Sequence, residues 1–289
     1  MYHLLGFENN IRNLMLLGLQ AQPGRSFADL ADIGEAYQAY LAERQPPLTL
    51  GCNGGGQWPA FLTEPTVARA LLDFYLVKDP AIDDGPVTAL ELQAPSQVKS
   101  IQQAARRLEQ GLASFTPIDP TLQSLLATTI NVVFLYPSRT RGGGSTPRAV
   151  GIIWSNPGDA WTPIDFQEFF VHELTHNLLF IDEHCRPHYL NHERLADRAT
   201  YVESSIRQTP RRVDLAFHSL VVAVEVLLYR QRHGLQDAPR RLHPNTPELL
   251  ASARRTALAL QDRQAVTPLL ADRAVNLLGC CIHALEKNL

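Results

Sequence analysis

Residues 162–181 read Thr162-Pro163-Ile164-Asp165-Phe166-Gln167-Glu168-Phe169-Phe170-Val171-His172-Glu173-Leu174-Thr175-His176-Asn177-Leu178-Leu179-Phe180-Ile181. The stretch opens on three helix-start signals together: threonine at the cap, proline at the first helical position and aspartate in the first turn. Apolar residues then fall on nearly every side, which is the pattern of a helix buried within a protein. A helix is therefore predicted to run to about Ile181. Ahead of it, residues 131–136 and 149–155 are short and rich in apolar and β-branched side chains, and read as strands. Between them, residues 139–147 form a glycine-rich loop carrying Arg139 and Arg141, with Arg148 next to it. A small sheet followed by a buried helix is the expected centre of the fold.

Helical patterns dominate away from this centre. Ser26 is predicted to cap a helix reaching about Arg44, and further helices are expected over 66–77, 96–111 and 120–130. Beyond the central helix, residues 193–208 look helical, Pro210 interrupts, and 213–233 form a long amphipathic helix closed by Gly234. Thr246-Pro247 and Thr267-Pro268 are each expected to open a final helix. The predicted fold class is α+β, mostly α: a helical bundle with a small β-sheet preceding the central helix. One domain is expected over 1–289, within which 1–116 can form a helical lobe ahead of a region at 117–289 that carries the chemistry.

Composition narrows the partners. With 289 residues, 45% of them hydrophobic and 19% charged, the chain can bury a core and is not disordered. A net charge of −3 gives no basic surface for a nucleic acid. The most apolar stretch, 215–229, is interrupted by His218, Ser219 and Glu225, so no membrane partner is expected. The N-terminal residues lack a signal-peptide pattern, and Cys52, Cys185, Cys280 and Cys281 form no C-x-x-C pair. A reducing, cytoplasmic location is the expectation.

The chemistry is expected at His172-Glu173-Leu174-Thr175-His176. On a helix, residues i and i+4 share a face, so both imidazoles can reach one metal ion. Glu173 lies about 100° around the helix, near enough to act on a water or an oxygen species beside that ion. Two histidines do not complete a site, and two residues are candidates for the third ligand. Glu193, with Asp197 one turn on, resembles the pattern that follows H-E-L-T-H in thermolysin-type zinc peptidases, although at a somewhat short spacing and with Pro187 intervening. His218 stands among Leu215, Phe217 and Leu220, where an imidazole without partners would be costly. Coordination by one nitrogen, with an acceptor on the other, would satisfy it, and on this ground His218 is the expected ligand.

The segment around His218 carries a second resemblance. Arg207, Pro210, Arg211 and Phe217-His218-Ser219 follow the motif in an order similar to the 2-oxoglutarate-dependent H-E-x-x-H peptide β-hydroxylases of peptide-modification gene clusters. The likeness covers about residues 139–230. Leu174-Thr175 replaces that family's Phe-Gln, and Ser219 its glycine. The resemblance implies a non-haem Fe(II) oxygenase acting at Cβ of a peptide or amino-acid side chain, with a precursor peptide as one form of substrate. His172, His176 and His218 would hold Fe(II), Arg211 or Arg207 would bind 2-oxoglutarate, and Glu173 would orient the reacting species. This suits Fe(II), which takes neutral imidazoles and needs open positions, and suits an arginine fork, which grips a carboxylate with two hydrogen bonds. The alternative is a zinc peptidase with Glu173 as general base.

Weaker signals read as ordinary structure. Gly54-Gly55-Gly56 lacks the lysine of a phosphate loop, and His184, His188 and His192 are read as solvated or supporting residues.

Overall fold

The computed structural model describes residues 1–45, 59–76, 98–138, 142–262, 266–287 and 289. In chain order the elements are α1 (Tyr2–Leu5), α2 (Phe7–Ala21), α3 (Leu30–Arg44), β1 (Ala60–Leu62), α4 (Pro65–Leu76), α5 (Val98–Ala113), α6 (Pro120–Thr129), β2 (Val132–Leu135), β3 (Gly143–Gly144) and β4 (Ile152–Ser155). There follow α7 (Pro163–Cys185), β5 (Val202–Glu203), β6 (Pro210–Arg211), α8 (Val213–Arg232), α9 (Thr246–Leu260) and α10 (Asp272–Lys287). The fold is α+β and mostly helical, with a small mixed sheet ahead of the motif helix, as the sequence pattern predicts.

The larger sheet has the order β1-β2-β4-β3; β1, β2 and β4 run parallel, and β3 lies antiparallel on the β4 edge. Both faces are covered. Val133, Leu135 and Ile153 join the main core, whereas Val132, Phe134, Ile152 and Trp154 pack with Ala68, Leu71 and Leu72 of α4. Burial on two sides explains why these strands read as unbroken apolar runs instead of alternating ones.

Helix α7 begins on a complete capping box. Thr162 Oγ1 accepts from the Asp165 backbone N–H at 3.3 Å, and the Asp165 carboxylate accepts from the Thr162 backbone N–H at 2.8 Å. The helix packs against α2, α5, α6 and α8, and its apolar residues form a single core with α1, α2, α8, α9 and α10. Each fully buried Leu or Phe here stabilises the fold by about 1.5–3 kcal/mol.

Four expectations need correction. Helix α3 is capped by Asp29, whose carboxylate accepts from the backbone of Ala31 and Asp32, not by Ser26. Residues 193–208 do not form a helix. They make two single-turn 3-10 helices and then the β5–β6 hairpin, in which Pro210 belongs to a strand. Within the expected loop at 139–147, Gly143 and Gly144 form an edge strand. Thr267-Pro268 opens one 3-10 turn, and α10 starts at Asp272. Arg139, Arg141 and Gly54-Gly55-Gly56 lie outside the described residues.

Candidate metal centre on the α7 helix

The i, i+4 spacing on α7 places the His172 and His176 rings with centroids 4.9 Å apart. His218, in the second turn of α8, stacks on His176 at 5.7 Å and lies 5.2 Å from the Phe180 ring. Packing of α8 on α7 thus brings the three predicted histidines into one cluster. All three are held neutral at physiological pH. Burial pushes His176 down to about 4, and Arg207 adds to the effect. Burial also takes His172 and His218 well below the usual histidine range, helped by neighbouring histidines, by Arg207 at His172 and by Arg211 at His218. Among the described residues, no hydrogen-bond partner is found for either ring of the His176–His218 pair.

Both predicted arginines therefore act on this cluster, from the hairpin that precedes α8. Arg207 is exposed at its tip and Arg211 half-buried in β6, paired in register with Val202. The tip is anchored by Ser219, next to His218: its hydroxyl accepts from Ser204 Oγ at 2.7 Å and from the Ile206 backbone N–H at 2.9 Å. Glu193 is different. It is exposed at the start of a 3-10 turn, and among the described residues no hydrogen bond or ion pair joins it to the three histidines.

Glu173 is buried and meets one neutral donor, Ser145 Oγ at 2.7 Å. Burial raises its carboxyl to about 7, with the Ser145 hydrogen bond pulling weakly the other way. Its Oε1 is 4.0 Å from His172 Nε2, so the group able to exchange a proton near neutrality faces the motif. Asn177 holds Ser145 in place by donating to its hydroxyl at 2.9 Å, while accepting the Gly151 backbone N–H at 2.7 Å. Ser145 follows directly on β3. The preceding Gly143 has φ of +154°, and a Cβ there would lie 2.5 Å from the Trp154 carbonyl oxygen and 2.8 Å from the Phe169 ring. Only glycine lets the edge strand come this close to α7.

The sequence reading missed two residues behind His172. His172 Nδ1 is 2.8 Å from His243 Nε2, and His243 Nδ1 is 2.9 Å from Glu168 Oε2. Glu168 sits one helical turn before His172 on an apolar helix. That spacing was the available signal, whereas His243 lies in an irregular segment before Pro244 and gave none.

The sequence matches no protein-family model and no curated protein. Among the described residues, no set of three or more His, Cys, Asp or Glu side chains would hold a metal ion as placed. Stacked rings do not point their nitrogens at one spot. His188 is buried and bonds Asp182 at 2.8 Å, so of the two roles expected for it, solvated or supporting, the solvated one does not hold. Among the described residues, no helix is long and apolar enough to cross a membrane.

Proposed function

We propose that the chain is an Fe(II)- and 2-oxoglutarate-dependent oxygenase that hydroxylates a peptide or amino-acid side chain, at Cβ, in the tailoring of a peptide product. The observation that carries this reading is the company of His218. It stacks on His176 and shares its surroundings with Arg207 and Arg211, whereas Glu193 stands apart. The chemistry of the donor set fits a divalent ion: neutral imidazoles with open nitrogens, the first of them backed by a second histidine and a carboxylate. His172 and His176 would hold the ion as a pair, and the reading requires the His218 ring to turn toward them when the ion enters. Bound Fe(II), with 2-oxoglutarate and O2, supplies the oxidising equivalent that inserts one oxygen atom into a C–H bond, releasing succinate and CO2.

The residues of the chain do the rest. Arg211, with Arg207 as the other candidate, binds the distal carboxylate of the co-substrate through its guanidinium fork. Glu173 accepts or releases a proton beside His172. The edge strand β3 supports a peptide-type substrate, because among the described residues no strand pairs with its outer side, and a Cβ at Gly144 would meet nothing within 4 Å. An extended chain can add to such an edge. Anaerobic reconstitution with Fe(II) and 2-oxoglutarate tests the reading. The expected result is the weak visible charge-transfer band of the chelate, and its absence with stoichiometric iron bound would refute the proposal.

One observation favours a second reading. A buried glutamate raised to about 7 is what a zinc peptidase needs as its general base. Glu173→Gln separates the two. A peptidase loses nearly all turnover while keeping its metal; an oxygenase keeps part of its hydroxylation, since its oxidant comes from O2 and 2-oxoglutarate.

A further inference from the structure

We propose that Ser145 and Asn177 are positioning residues for Glu173: they hold its Oε2 so that Oε1 is the oxygen presented beside His172. The purpose of that aim rests on the functional reading above, but the geometry stands without it.

Groups with a single hydrogen-bonding role fix the orientation of Asn177. The Gly151 backbone N–H can only donate, and Asn177 Oδ1 accepts it at 2.7 Å. The Glu173 backbone carbonyl can only accept, and Asn177 Nδ2 donates to it at 2.8 Å. The other hydrogen of Nδ2 goes to Ser145 Oγ at 2.9 Å. Asn177 is fully buried one turn beyond Glu173, so an amide with every bond made has one orientation and pins the hydroxyl it touches. Ser145 Oγ then stands 2.7 Å from Glu173 Oε2. This contact serves either charge state of the glutamate, because a hydroxyl can both donate and accept. With Oε2 engaged, the second oxygen turns toward His172 Nε2, 4.0 Å away. Among the described residues, the Glu173 carboxyl has no other hydrogen-bond partner, and its aim depends on Ser145.

Backbone supports the pair from two strands. Ser145 and Gly151 are the first and last residues of the connection between β3 and β4. Asn177 bonds both, so one side chain of the motif helix closes that connection at its base. Gly151 has φ of +81°, and a Cβ there would lie 3.2 Å from Asn131 Nδ2 and 3.3 Å from the Thr129 carbonyl oxygen. The bonds from Asn177 to Gly151 and to the Glu173 carbonyl clamp the connection without help from position 145. What the serine hydroxyl adds to that clamp is a grip on the Glu173 carboxyl.

Two readouts test the pair. In crystals of the metal-free protein, Ser145→Ala is expected to keep the Asn177–Gly151 bond while the Glu173 carboxyl moves by about 1 Å or more, a displacement large enough to matter for chemistry, or divides between rotamers. Ser145→Thr, which keeps the hydroxyl, is expected to restore the wild-type position. A Glu173 carboxyl unmoved in Ser145→Ala would overturn the proposal, whether or not the protein takes up a metal. The second readout is the visible spectrum of protein loaded with Co2+. Ser145→Ala is expected to shift the bands toward those of Glu173→Gln, and to add no further shift in the Glu173→Gln background, since residues that act through one another are not additive. An equal shift in both backgrounds would overturn action through Glu173. Failure of the wild-type protein to bind Co2+ would instead refute the metal-centre reading, leaving the crystallographic result to decide the positioning.

Discussion

Of the four carboxylates that helix α7 buries, Glu173 and Asp182 lie about 14 Å apart along its axis and are treated in opposite ways. Asp182 is closed off. Its oxygens accept from Asn13 at 2.7 Å, His188 at 2.8 Å and both arms of Arg273 at 2.7 Å. Burial alone would raise its carboxyl, but the His188 and Arg273 hydrogen bonds hold it far below the usual range. Among the described residues, Glu173 faces no cation and has one hydroxyl donor, and burial raises it to about 7. The helix thus separates architecture from chemistry. Where buried charge is fully matched, it ties α2, α7 and α10 together. Where polar atoms are left open, beside His172, His176 and His218, the chain retains something to react with.

The strongest way to break this contrast is to remove the open atoms. His172→Ala and His176→Ala are each expected to abolish stoichiometric metal uptake by elemental analysis while still unfolding cooperatively, His176→Ala at denaturant concentrations no lower than metal-free wild type. Either variant retaining a full equivalent of metal would remove the centre from α7.

The closed end should answer differently. Asp182→Ala leaves Arg273 and His188 without their partner, and breaking a buried pair in this way costs about 3–5 kcal/mol. Urea unfolding measures that loss, with metal content per folded molecule expected to stay unchanged. A loss under ~1 kcal/mol would show that this end is less tightly coupled than its hydrogen bonds indicate.

How far the contrast could be read from residues alone depended on sequence distance. The motif helix announced itself through Thr162, Pro163 and Asp165, and β2 and β4 through their apolar runs, because these signals are local. His218 was expected from its place in an apolar helix, and packing of α8 on α7 stacks it on His176. The β5–β6 hairpin was not: its strands have two residues each, and what holds its connecting turn is Ser219, on another element. Gly143 and Gly144 carry no strand propensity, and they pair with β4 because the backbone must approach α7. The Glu168–His243 contact joins residues far apart in the chain through an irregular segment, so no periodicity could announce it.

Acid sharpens the comparison through Glu168. Burial would raise this carboxyl, but hydrogen bonds from His243 and Arg230 prevail and hold it at about 2 against an ordinary 4.5. Its unfolded form therefore takes up a proton first as pH falls. The stability it contributes is complete above about pH 4.5 and lost progressively toward pH 2. The size of that loss is about 3 kcal/mol. Asp182, shifted the same way, adds to this limb. Glu168→Gln should flatten the decline between pH 4.5 and 2, measured by urea unfolding across that range, and an unflattened curve would place the acid sensitivity elsewhere.

The smallest expected effect decides between the two arginines. Ser219→Ala deletes the hydroxyl that accepts from Ser204 and from the Ile206 backbone, and Ser204 Oγ in turn accepts the Arg207 backbone N–H at 3.3 Å. The turn ahead of Arg207 is then held by its remaining backbone bonds, Ser204 N–H to Thr209 C=O and Gln208 N–H to Ser204 C=O, with Gln208 kept at a φ of 53°. Losing these contacts is expected to cost about 1–2 kcal/mol and to loosen the hairpin tip. Arg211 should stay in place, because it is carried by β6 in register with Val202 and leads directly into α8. If Arg211 grips the distal carboxylate, 2-oxoglutarate affinity read from the charge-transfer band should stay within about twofold, a change of under ~0.5 kcal/mol. A tenfold loss in a variant that still folds and still binds iron would transfer that role to Arg207, the residue whose charge reaches both histidines of the motif.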